Sequence, residues 1–183
     1  MSENDIDPNL LYDARFDGWT YQIHPLNTPA CNFGCFSKII DMYRSKMKSG
    51  KLASWDDMDF YDFVGWHGHV GLMEDTGREP FDLIDRLCGT YLVECFEADL
   101  TNTLVSNQLN ETEESMIEDL KFFEAVCRTP GIGIAHGTAT WSKKEYKYFT
   151  LIYIPLADDY ENANKILYLI IDSSPKQPLT RSK

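Results

Sequence analysis

The sequence predicts an α+β fold: a five-stranded antiparallel sheet with helices on one face, preceded by an N-terminal helical extension. Three observations predict it. Apolar residues recur at steps of three and four in two stretches, 32–48 and 111–127. After Ile132 the period switches to two, giving three successive strands at 132–141, 146–156 and 165–172. Two further strand-like runs, 66–75 and 81–88, lie between the helical stretches. Strands divided by a block of helices, with three in succession at the end, imply an antiparallel sheet. With 183 residues, 43% of them hydrophobic, the chain has the material for one full core.

Residues 1–31 read as an irregular arm. Pro8, Gly18, Pro25 and Pro29 punctuate it, and Trp19, Tyr21 and Ile23 form a short alternating strand or a surface arm. The N-terminal helices occupy 32–64. In the first, Phe33, Phe36, Ile40, Tyr43 and Met47 share a face, and Lys46, Lys48 and Gly50 suit its end. Ser54 opens a second, with Asp56, Asp57 and Asp59 in the first turn. The core spans 65–173. Its two early strands meet at a turn around Thr76–Arg78, and a brief helix covers Tyr91 to Glu97. The longest helix starts near Glu111 behind Asn110, carries Met116, Leu120, Phe123 and Cys127 as its apolar stripe, and ends at Thr129-Pro130-Gly131. In the strand 146–156, Tyr146, Tyr148, Thr150, Ile152, Ile154 and Leu156 lie on one face. A flexible tail fills 174–183.

Charge narrows the partners. The net charge is −12, and the excess is local: residues 51–128 carry 18 acids and 5 bases. Such a surface repels nucleic acid and anionic membranes, and no basic stripe offsets it. No apolar stretch reaches the ~18 residues a membrane span needs, and the acidic N-terminus has no signal-peptide core, so a cytoplasmic location is expected. Five cysteines without an export signal read as free thiols. Cys31 and Cys35 with His67 and His69 offer an alternative, a metal site or metal-dependent enzyme. Packing of both cysteines as small hydrophobes is the plainer account.

Leu52–Asp59, then Arg86-Leu-Cys-Gly89-Thr90, Glu97-Ala-Asp-Leu-Thr101 and Ile154-Pro155-Leu156-Ala157-Asp158 stand in an order that resembles a bacterial PAS-domain subfamily. The similarity runs from about Phe36 to Ile171. It implies a PAS-like five-stranded sheet, with Gly89, Thr90, Thr101 and Pro155 as structural motif residues. It also implies a stand-alone sensory or signal-transduction module that binds a small molecule or a partner protein. Asn102 stands where the family usually has Gly, and Asn tolerates a left-handed backbone nearly as well.

No Gly-x-Ser-x-Gly, Walker or Gly-x-Gly-x-x-Gly motif is present, so catalysis is not expected. Two residues are candidate ligand contacts. Arg86, in an apolar strand, either anchors a ligand carboxylate or is tied structurally to Asp57 or Asp99. His136, between the small Ala135 and Gly137, has room for a ligand on the inner sheet face. Haem or flavin is not favoured, and an unidentified small molecule is the expected ligand. With no output segment recognised, a signal passes to a separate signalling protein or through a homodimer formed by the helix 32–48.

Overall fold

The computed structural model describes residues 9–108, 113–139 and 147–174. Its frame is an antiparallel sheet of β1 (Tyr12–Phe16), β2 (Trp19–Pro25), β3 (Val70–Asp75), β4 (Leu83–Cys88), β5 (Gly131–Thr138), β6 (Tyr148–Leu156) and β7 (Lys165–Asp172). The order across the sheet is β1-β2-β5-β6-β7-β3-β4. The expected PAS-like sheet of five strands with helices on one face is therefore corrected twice: among the described residues the sheet has seven strands, and helices cover both of its faces.

The two additional strands come from the arm 1–31. Asp17 and Gly18 adopt φ of 45° and 80° and turn β1 back onto β2, pairing Phe16 with Trp19. An Asp-Gly pair suits a two-residue hairpin turn because both positions need positive φ. β2 then pairs with β5 from Trp19 opposite Gly137 to Pro25 opposite Gly131. The prolines that suggested irregularity fall at or beyond the ends of this hairpin.

Three helices complete the described elements: α1 (Ser37–Lys46), α2 (Thr90–Phe96) and α3 (Glu113–Arg128). The start expected near Glu111 and its Asn110 cap lie outside the described residues, as do positions 140–146 and most of the tail. On one sheet face, Phe122, Phe123 and Val126 of α3 and Leu92 and Cys95 of α2 pack against Tyr21, Leu151, Tyr153 and Tyr168. On the other, Phe36, Ile40 and Tyr43 pack against Ile132, Ile152, Ile154, Leu167 and Leu169. Each such side chain contributes roughly 1.5–3 kcal/mol when fully buried.

The helix expected from residue 32 is divided. A 3-10 segment, Ala30–Phe36, carries Gly34 at φ 56°, and α1 starts after it. Its apolar face rests on the chain's own sheet. Ser54 caps a turn as expected, but the result is two 3-10 segments, Trp55–Asp57 and Phe60–Phe63, capped by Ser54 and Asp59.

Two motif residues explain themselves here. Pairing of β6 with β5 ends at Tyr153, whereas pairing with β7 continues to Leu156. Pro155 therefore lies past the last β5–β6 pair, where its missing N–H costs no ladder bond to β5. Its carbonyl accepts a hydrogen bond from the buried Tyr43 hydroxyl at 3.0 Å. Gly89 sits where β4 passes into α2, and its N–H donates to the Val70 carbonyl at 2.9 Å.

Candidate functional site

A pocket of about 120 Å³, partly open to solvent, lies on the sheet face that α3 covers. Its floor is Ala135, Leu151, Tyr153 and Tyr168. The β1–β2 hairpin supplies Phe16, Asp17, Trp19 and Tyr21; α3 supplies Ser115, Asp119 and Phe123; Phe96, Leu100, Val105 and Gln108 close the remaining side. Seven of the lining residues are aromatic: Phe16, Trp19, Tyr21, Phe96, Phe123, Tyr153 and Tyr168.

Of the three acids in the lining, Asp17, Asp85 and Asp119, only Asp85 is fully buried. The pleat of β4 places it on the same face as the buried Leu83, and it is 1% exposed. The Tyr168 hydroxyl donates to Oδ1 at 2.7 Å, and the Gln108 amide donates to Oδ2 at 2.9 Å. Burial pushes the carboxyl up to about 7, and the bonds from Tyr168 and Gln108 oppose that rise only in part. Burial, followed by the adjacent Asp85, holds the Tyr168 phenol well above its ordinary range, so it remains a donor.

Local sequence builds this arrangement from two sides. Gly71 on β3 faces Tyr168 on β7, and a Cβ there would lie 2.1 Å from the ring's Cζ. The absent side chain is what lets the phenol lie flat and reach Asp85. On the outer edge of β4, the Asp85 N–H donates to Thr103 at 3.1 Å and its carbonyl accepts from Asn102 at 2.7 Å. Asn102 adopts φ 64°, the left-handed turn expected of it, and the Thr101 N–H donates to Asp99 at 3.0 Å. The motif around Thr101 therefore folds the 99–108 segment back along β4 and delivers Gln108 to the carboxyl.

The two candidate ligand contacts lie elsewhere. Arg86 points to the face opposite its neighbour Asp85, is half-exposed, and pairs with Glu74 on β3. It meets neither Asp57, which holds Lys48, nor Asp99. The Arg86→Ala variant is accordingly expected to lose no more than ~1 kcal/mol, read as an almost unmoved urea midpoint. His136 likewise alternates away from the pocket-lining Ala135, half-buried; burial, then Arg15, lowers its imidazole. The space expected beside it is real only at Ala135, because the Trp19 ring fills the site of a Gly137 side chain.

Cys31, Cys35, His67 and His69 are not drawn together. Both cysteines are exposed, His67 Nε2 meets the Phe60 carbonyl at 2.9 Å, and His69 Nδ1 meets the Ile170 carbonyl at 2.7 Å. Among the described residues no three His, Cys, Asp or Glu side chains are grouped to hold a metal ion. A second, larger hollow of about 330 Å³, walled by Trp55, Met58, Phe60, Phe63 and Leu87 with Asp59 and His67, is mostly apolar, and its one carboxylate, Asp59, is exposed.

Sequence reasoning selected Arg86 and passed over Asp85, Tyr168 and Gln108. The available signal was parity: Asp85 shares its phase with Leu83, and an acid in the buried phase of a strand needs an explanation. No helix among the described residues is long and apolar enough to cross a membrane. Comparison with known proteins found no matching family model, no matching curated protein and no matching solved structure.

Proposed function

We propose that this chain is a sensory or interaction module that binds a compact small molecule in the pocket beneath α3, without chemical turnover, and passes the signal to a separate protein. The observation that carries the reading is the pocket itself, an aromatic-walled cavity with one buried, hydrogen-bonded carboxyl at its base. Binding sites have this composition: apolar walls supply affinity and a few fixed polar groups supply orientation. The described lining has no histidine, cysteine or lysine. The ordered signatures that resemble the bacterial PAS subfamily support the same role class.

The walls suggest how occupancy becomes a signal. They come from the hairpin, from α3 and from the 96–108 segment, three elements whose spacing a bound molecule would fix. Native mass spectrometry of freshly purified protein tests the reading. A companion mass that leaves on denaturation supports it. A bare chain, with no small molecule in a broad screen raising the melting temperature, overturns it.

A further inference from the structure

From the aromatic walls, the buried Asp85 and the absence of any described basic residue in the lining, we propose that the pocket selects a compact organic cation, a primary amine attached to a small ring or branched alkyl group. The inference rests on the reading of this pocket as a ligand site and names the ligand's charge and size.

Three observations converge. The first is charge. Asp17, Asp85 and Asp119 line the cavity, and no described lining residue is Lys, Arg or His. A ligand carboxylate would meet only like charge, whereas an ammonium is drawn in by the acidic middle of the chain. The second is the carboxyl's own geometry. Tyr168 and Gln108 give Asp85 one hydrogen bond on each oxygen, while an ionised carboxylate has about four acceptor sites. An ammonium fills the two that remain with two of its three N–H donors. The third is the wall. Trp19, Tyr21 and Tyr153 line the cavity, and aromatic rings attract cations and disfavour anions over their faces.

Size follows from volume. About 120 Å³ is slightly less than the ~150 Å³ of a cavity that admits benzene, and the open side allows a substituent to protrude. The ligand therefore has on the order of eight non-hydrogen atoms.

A pH signature goes with this geometry. Asp85 is bonded by Tyr168 from β7 and Gln108 from the 99–108 segment, Cys88 lies near it on its own strand, and Tyr153 from β6, Asp119 on α3 and Asp17 in the hairpin turn line the same cavity. None of them brings a positive charge. With its carboxyl near 7 when the pocket is empty, Asp85 must lose its proton to receive an ammonium. Amine affinity then rises about tenfold per pH unit up to roughly pH 7 and levels above it.

Calorimetry with three probes of one shape, benzylamine, benzyl alcohol and benzoate, tests the proposal on the full chain. The expected result at about pH 8 is benzylamine binding at least tenfold tighter than benzyl alcohol, with benzoate weakest. In Asp85→Asn, which keeps the pocket's shape, the preference for benzylamine over benzyl alcohol disappears. Benzyl alcohol or benzoate binding as tightly as benzylamine overturns the cation inference and leaves the pocket reading standing. No heat from any probe also overturns it, and the fate of the pocket reading then rests on the separate mass measurement. A benzylamine affinity that does not change between about pH 5 and 8 overturns it as well.

Discussion

Titrated from about pH 5 to pH 8, the wild-type protein is expected to lose ~2.5 kcal/mol of stability relative to Asp85→Asn, because some two pH units of that range lie below the value of about 7 to which the carboxyl is raised from 3.8. The sign follows from proton counts. Between those two values the folded protein holds a proton on Asp85 that the unfolded chain has released, so each rise in pH favours unfolding. The contribution is complete below 3.8 and has gone above about 7. The amide introduced by Asp85→Asn has no such proton. Its carbonyl can accept from Tyr168, and the Gln108 amide can turn to offer its oxygen, so the variant stays hydrogen-bonded. His136 contributes the opposite slope, since its lowered imidazole favours the folded state as pH rises toward 6.5. Comparing the two proteins cancels it, because both retain His136. Urea unfolding at several pH values is the measurement, and parallel curves would refute the assignment of a buried, displaced carboxyl.

The second large effect is expected at Gly89. Replacement by Ala costs ~3 kcal/mol or more, at the upper end of overpacking penalties. A Cβ there would lie 2.4 Å from the Gly68 carbonyl oxygen and 2.8 Å from that of Val70. Both neighbours are backbone, and the Gly89 N–H is itself held by the Val70 carbonyl. No rotamer can relieve the clash, so β4 must part from the strand entry at residues 68–70. The distortion passes directly to Asp85, four residues back on the same strand. With domain stabilities of ~5–15 kcal/mol, such a loss lowers soluble yield and the urea midpoint together. A midpoint within the range expected for Arg86→Ala would show that the strand entry is looser than described.

Local signals were the legible ones. α3 was readable from its three- and four-residue spacing, and the strands from short apolar runs bounded by turn residues. Ser54 and Asn102 were legible because caps and left-handed turns are decided within a few residues. The strand β1 escaped although Asp17-Gly18 marked its turn, because a five-residue run with none of its side chains fully buried resembles loop. The number of covered faces was also misread. β7 runs Ile166 to Ile171 almost without a polar interruption, which is the mark of a strand buried on both sides. The pocket was the least legible. Asp85, Gln108 and Tyr168 are separated by up to 83 residues, and nothing local links them. Arg86 drew notice because its charge is permanent, yet a guanidinium beside a sheet edge reaches water easily.

The strand order also governs the order in which the chain can be finished during synthesis. β2 waits for β5, β3 is flanked on one side by β7, and α1 lies on strands drawn from β5 to β7. When α1 leaves the ribosome, the surface destined for Phe36, Ile40 and Tyr43 does not yet exist, and Asp172 closes it only 126 residues later. At ~5–20 residues per second that interval is roughly 6–25 s. For that time the N-terminal third carries a bare apolar helix and an unpaired hairpin, held back from collapse only by its own polar side chains or by whatever shields nascent chains. The last strand made stands between β6 and β3, so the sheet cannot settle from one end; it locks when its interior is filled.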